Sequence, residues 1–224
     1  GVFTGGAGSL ITLNADVGTT TFNLNVTGAT TTGFTGTVVV NSGLLQFSAG
    51  GRLAGATAFT INKSGNLLLD NNGTTLSGDR ILNTATITLN SAAGVASGQT
   101  QPRGLWIRTD QGGTLDETVG VVSANSGASY VTLEATTADD DSDIILTNLV
   151  RANSATLNVR GTNLGSVLAQ NNQFRIGDGT NQTAFIAALV GGNGAAASKT
   201  VSIVPWAIGE TVAGAVAVTN MGNS

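Results

Sequence analysis

The chain has 224 residues, of which 10% are charged, with 9 Lys and Arg against 13 Asp and Glu; an average soluble protein is about 25% charged. It has no cysteine and no histidine, which excludes a disulfide framework, a thiolate or imidazole metal centre, a cysteine nucleophile and a histidine-based triad. A formal net charge of −4 with a pI near 4.5 argues against nucleic-acid binding through a basic surface.

Disordered chains combine few apolar residues with high net charge. This chain does neither, because 41% of it is hydrophobic. Its 33 threonines, 32 glycines and 21 asparagines, set among short Val, Leu and Ile runs, suit strands joined by tight turns.

In chain order, the start Gly1-Val2-Phe3-Thr4 has no initiator Met, basic segment or apolar run and is expected to be interior to a longer polypeptide or the start of a mature product. No stretch has the roughly 18–20 apolar residues of a membrane-spanning helix. Thr20 to Val26 alternates, with Phe22, Leu24 and Val26 on one face. Val40, Leu45, Ile61 and Leu68 are placed inward in the runs that follow, then Ile87 and Leu89 in Thr84 to Asn90. Val131 and Leu133 share a face in Tyr130 to Glu134. Period-two alternation of this kind marks strands with one buried face. Between them stand Gly, Asn and Ser corners such as Ser42-Gly43, Ser64-Gly65 and Ser126-Gly127. Ser91 to Gly104 breaks the rhythm and is expected to be a loop leaving the regular body, not a linker, since strand patterning resumes at Leu105. A single body over 1–224 is expected. A short helix over Thr183 to Val190 is an alternative to strand there, since Phe185, Ile186, Leu189 and Val190 are spaced for one.

The runs resemble one another. Val40-Asn41-Ser42-Gly43 before Leu44-Leu45 is echoed by Ile61-Asn62-Lys63-Ser64-Gly65 before Leu67-Leu68-Leu69, and Val122-Ser123-Ala124-Asn125-Ser126 by Val150-Arg151-Ala152-Asn153-Ser154. Repeats at about 20–30 residues point to a solenoid or a propeller. Two tryptophans are too few to mark propeller blades. The predicted fold is therefore all-β, a parallel β-helix. Coils of about 20–25 residues give roughly nine to eleven of them, in a rod about 45–50 Å long. In-register stacking disfavours like charges and favours Thr, Val, Ile and Ala, with asparagine ladders adding side-chain hydrogen bonds.

Phe34-Thr35-Gly36 followed by Val40-Asn41-Ser42-Gly43-Leu44-Leu45-Gln46-Phe47 resembles the autotransporter-associated β-strand repeat, also called the passenger-associated transport repeat. Gly6-Ala7-Gly8-Ser9-Leu10-Ile11-Thr12-Leu13 is similar to half of that repeat. Asp79-Arg80 with Thr84 to Leu89, Glu117-Thr118-Val119-Gly120, Val159 to Gly165 and Ile203-Val204-Pro205-Trp206 resemble its continuation in very large surface proteins of planctomycete-type bacteria. The resemblance implies a right-handed parallel β-helix, secretion, a place on the bacterial cell surface and no catalytic residues. No β-barrel translocator accompanies these residues, so the resemblance does not supply an export route.

Asp139-Asp140-Asp141-Ser142-Asp143 is the densest charge cluster. Asp139, Asp141 and Asp143 are weak calcium candidates, since calcium takes six to eight oxygen ligands. A solvated turn is the expected reading, because an EF-hand ladder is missing. Gly177-Asp178-Gly179-Thr180-Asn181 has the outline of one calcium-binding nonapeptide turn, without tandem copies. Paired carboxylates for glycoside cleavage stand about 5–9.5 Å apart. Asp110, Asp116 and Glu117 form one sequence neighbourhood and Glu134 with Asp139 another, but acids at corners for solubility are expected. Trp106 is expected in a rim or core strand and Trp206 against an end coil. Ser–Lys dyads at Lys63-Ser64 and Ser198-Lys199 sit in turn contexts. No cofactor is expected.

The function expected is a non-enzymatic, extracellular structural or adhesive segment of a surface fibre or coat, self-associating end to end or side by side, or continuing in a longer chain. A polysaccharide-active β-helix enzyme and a calcium-dependent surface- or carbohydrate-binding module are the alternatives.

Overall fold

The computed structural model describes residues 4–15, 21–25, 33–71, 79–96, 98–109, 114–135, 141–161, 163–164, 172–177, 189–191 and 202–211. Among them there is no helix, and the strands are β1 (Leu10–Asn14), β2 (Thr21–Asn25), β3 (Thr37–Ser48), β4 (Ala58–Asn71), β5 (Thr86–Asn90), β6 (Leu105–Thr109), β7 (Thr114–Ser126), β8 (Ala128–Ala135), β9 (Asp141–Arg151), β10 (Thr156–Gly161), β11 (Phe174–Ile176), β12 (Val190–Gly191), β13 (Ser202–Ile203) and β14 (Ala207–Thr211). Twelve of them form one strongly curled sheet. All its pairings are parallel.

Long strands serve two stacks at once, which is what curls the sheet. The first halves of β3 and β4 pair with β1 and β5, and their second halves pair with β2 and β6. A first stack thus runs β1, β3, β4, β5, β7, β9, and a second runs β2, β3, β4, β6, β8, β10, β14. The first halves of β7 and β9 join β11 in a third. Parallel neighbours require a long connection between them, and here the rest of each circuit supplies it. At four levels the corner from first to second stack contains a residue with positive φ: Gly43, Ser91, Gly127 and the pair Asn153-Ser154. The Gly and Asn corners in the sequence mark these bends.

The register stacks like upon like. Ile11, Val38, Phe59, Ile87, Val122 and Leu149 form one inward column and Leu13, Val40, Ile61, Leu89 and Ala124 the next. In the second stack Leu45, Leu67, Leu105, Val131 and Val159 line up, beside Phe47, Leu69, Ile107 and Leu133. All but Ile11 and Leu13 in these columns are buried, and both of those pack against the same core cluster. Phe47 and Phe59 meet edge-on with ring centroids 6.4 Å apart. Fully burying each such side chain is worth about 1.5–3 kcal/mol.

Gly65 is required by its surroundings. A Cβ there would collide with the carbonyl of Val40, where the chain passes against the level before it. The echoed Val40 and Ile61 segments do pair, Val40 with Ile61 and Gly43 with Gly65, across a one-residue irregularity that absorbs the extra Lys63. The second echo is offset by one: Val122 pairs with Leu149 and Ser123 with Val150.

Four features differ from the sequence expectations. The asparagines at equivalent positions are 27, 21, 28 and 35 residues apart, so the repeat exceeds 20–25 residues at most levels. Register within the first stack fixes the paired segments, while the corners between them vary in length. Leu68, expected inward, lies on the other face in a second cluster with Leu44, Ala96 and Trp106, because its neighbours Leu67 and Leu69 take the inward positions. The described residues of 91–104 form no strand, and the ends of this segment are tied back to the body. Tyr130 N–H donates to Ala92 O, Arg103 N–H to Gly94 O and Gly104 N–H to Asn66 Oδ1. Lastly, β12 and β13 pair antiparallel outside the large sheet. Of the helix considered over Thr183 to Val190, Val190 opens β12 and 183–188 lie outside the described residues.

Candidate functional site

Three side-chain arrangements stand out, each made by the stacking. The first is the outward face of the first stack. Thr12, Val39, Thr60, Thr88, Ser123 and Val150 form its central column, flanked by Leu10, Thr37, Ala58 and Thr86. Along the other side runs an asparagine ladder. Asn41 Nδ2 donates to Asn14 Oδ1 (2.6 Å), Asn62 to Asn41 (2.5 Å), Asn90 to Asn62 (2.9 Å) and Asn125 to Asn90 (2.7 Å). Asn153 Nδ2 continues it onto Asn125 O at 3.1 Å. An amide carries both donor and acceptor, so one residue type repeated in register satisfies itself indefinitely. None of these positions carries a charge.

The charges collect on the outward face of the second stack. Asp70, Arg108 and Glu134 are register neighbours. Arg108 grips Asp70 with Nε at 2.9 Å and Nη2 at 2.8 Å, and Gln46 donates to the same carboxylate. Arg103, brought in by the loop, lies 3.3 Å from Glu134 and bonds Gln99. Arg160 bonds Glu210 at 2.9 and 3.2 Å and Pro102 O at 3.2 Å. Trp106 is held between Arg103 and Arg108, whose guanidinium carbons stand 4.8 and 5.2 Å from its ring centroid. Arg160 stands 5.1 Å from that of Tyr130. Such contacts add roughly 0.5–2 kcal/mol each. Arg160 with Asn158 holds the Glu210 carboxyl below its usual range, against the opposing pull of burial. Trp106 is 2% exposed, so it anchors the loop and offers no platform to a sugar.

The third arrangement is inside. Glu117 and Arg80 are both 0% exposed. Glu117 accepts the backbone N–H of Arg80 (3.2 Å) and of Ile81 (3.1 Å). The Arg80 guanidinium donates to Gly51 O (2.6 Å), Ala49 O (2.9 Å), Asp70 O (2.8 Å) and Asn71 Oδ1 (2.6 Å). Burial pushes the Glu117 carboxyl up to about 7 against the pull of the two amides. Burial likewise lowers Arg80 to about 10, opposed by Glu117 and Asp70.

The expected placement of acids at solvated corners fails for Glu117, and also for Asp143. Asp143 is buried in β9, 2.6 Å from Arg175 Nη2 and accepting Gln173 N–H at 2.7 Å. Its oxygens are engaged within the protein. Asp139 lies outside the described residues, as do Asp110 and Asp178, and only the backbone of Asp141 is described. Asp116 and Glu117 alternate on β7, Asp116 exposed and Glu117 inward, so they cannot converge on one substrate. Among the described residues no group of three or more His, Cys, Asp or Glu is placed to hold a metal. Lys63 is exposed beside half-buried Ser64, and Ser198-Lys199 lies outside the described residues. Trp206 is buried in the main core with Arg151 6.0 Å from its ring.

Sequence reasoning missed Arg80, Arg103 and Arg160. The available signal was that so few cations occur at all, which makes each one in an apolar context a candidate for a buried pair. Compared with known proteins, the chain matches no family model, no curated protein and no solved structure.

Proposed function

We propose that the chain is a non-enzymatic structural or adhesive segment of a secreted bacterial surface protein, built as a right-handed parallel β-helix and resembling the autotransporter-associated repeat proteins. The observation that carries this reading is the asparagine ladder through five successive levels. It makes the levels equivalent, so the body lengthens by adding levels, as a fibre or stalk requires.

Association along the axis is favoured over association by the sides. Six strands about 4.8 Å apart, with three outward positions each, give the uncharged face roughly 400 Å², about half of what each partner buries in a specific complex. Leu10 on β1, Phe22 on β2 and Ile208 on β14 are 60%, 43% and 66% exposed. Among the described residues each of these strands is paired on one side only, an arrangement open to further strand addition.

Immunogold electron microscopy of expressing cells, with antibody against this segment, tests the proposal. Label on surface fibres or a surface coat is expected. Label confined to the cell interior overturns it, as does turnover of a glycan that is lost on changing a single carboxylate.

A further inference from the structure

We propose that Glu117 is a pH-operated latch in the wall of the sheet, holding the Arg80–Ile81 corner shut in mildly acidic medium and releasing it as the pH rises to neutrality. The corner is a weak point in the ladder. Between the level of Leu53 and that of β7, Ile81 makes a single parallel bridge to Leu53, and the amides of Arg80 and Ile81 are taken by a side chain. The Glu117 carboxyl group stands where a strand would otherwise supply carbonyls. Arg80 extends the connection to the previous corner through Gly51 O and Ala49 O. One carboxyl group and one guanidinium thus tie three successive levels together.

The charge balance around Glu117 does not hold it ionised. From its own corner it faces Asp79, which repels it, and Arg80, which attracts it. Asp70 at the end of β4 and Arg52 in the preceding corner act on Arg80 from opposite sides. Asp70 is engaged by Arg108. On β9, the next strand, Asp143 is paired with Arg175 of β11. Asp116 on β7 faces solvent. Burial outweighs these effects and raises the carboxyl from 4.5 to about 7. In the closed corner Glu117 therefore keeps its proton up to near neutrality, whereas in an opened corner, with the carboxyl in water, it loses it near its ordinary value. Opening becomes easier as the pH rises through that interval. The chain has no histidine, the side chain that ordinarily titrates there.

Amide hydrogen exchange of the intact chain between pH 5 and 8, corrected for intrinsic exchange, tests the latch. Protection at Arg80 and Ile81 is expected to fall on the order of a hundredfold between pH 5 and 7.5, while that of Ile61 and Leu89 does not. In Glu117→Gln the pH dependence at the corner should vanish. If that variant does not fold, carbon-13 titration of the wild-type glutamates reads the same group, with one midpoint expected near neutrality. Flat protection across the range, a pH dependence that survives in E117Q, or midpoints all below pH 5 would each overturn the proposal.

Discussion

Asn62 sits mid-ladder, donating to Asn41 and accepting from Asn90. Asn62→Ala removes both bonds, at about 0.5–1.5 kcal/mol each, so a loss of about 1–3 kcal/mol is expected in the urea unfolding midpoint. Asn62→Asp is expected to be worse at neutral pH, because an ionised carboxylate cannot donate to Asn41 and faces its oxygen. Equal stability of wild type and both variants would show that the ladder is ornamental.

Glu117 sets a second expectation at this scale. Its folded pKa, near 7, lies above its ordinary 4.5, so between those values the native state holds a proton that the unfolded chain has released. Its contribution to stability is complete below pH 4.5 and is lost by about pH 7, roughly 3 kcal/mol in all. The thermal midpoint should therefore fall from pH 5 to pH 7.5. Glu210, held low by Arg160, acts in the opposite sense and only as the medium becomes strongly acidic. A midpoint that rises between pH 5 and 7.5 would contradict the placement of Glu117 in the core.

Among the elements, the loop between β5 and β6 depends on the outer cluster for its position. Ala96 packs with Leu44, Leu68 and Trp106, and Arg103 stacks on the same indole. Trp106→Ala should free the loop while the inward columns persist. The expected result is trypsin cleavage after Arg103, 8% exposed in the native chain, with the far-ultraviolet circular dichroism retained. Resistance equal to wild type would mean that the backbone bonds of Ala92, Gly94 and Gly104 suffice. At the entry to β6, Gly104 has φ +62° and would drive a Cβ into the carbonyl of Tyr130. Gly104→Ala should thus destabilise more than an ordinary loop substitution.

At the scale of the whole molecule, the proposed β-helix, lengthening by added levels, is expected to give a small-angle scattering radius of gyration above that of a compact chain of this length, about 17 Å. Calcium is expected to be irrelevant to it, since Asp143 is committed to Arg175 and the Gln173 amide. Melting temperatures in excess calcium and in chelator should coincide. A chelator-induced drop would return Asp139, Asp141 and Asp143 to consideration as ligands.

What the sequence determined by itself was whatever repeats locally. Alternation in Thr86 to Asn90 and Tyr130 to Glu134, glycine and asparagine at the corners, and an asparagine after each apolar run are enough to predict parallel stacking with an amide ladder. Each level repeats the physical problem of the last and solves it with the same residues. The tertiary structure decided what depends on chain far away. Leu68 faces outward because Leu67 and Leu69 fill the inward columns and a loop some thirty residues later covers it. Glu117 is inside because two amides 36 and 37 residues earlier lack strand partners. Arg80, Arg103 and Arg160 are buried for similar reasons: carbonyls or carboxylates from other levels await them. A lone charged residue looks the same in sequence whether it meets water or a partner, and only the assembled stack determines which.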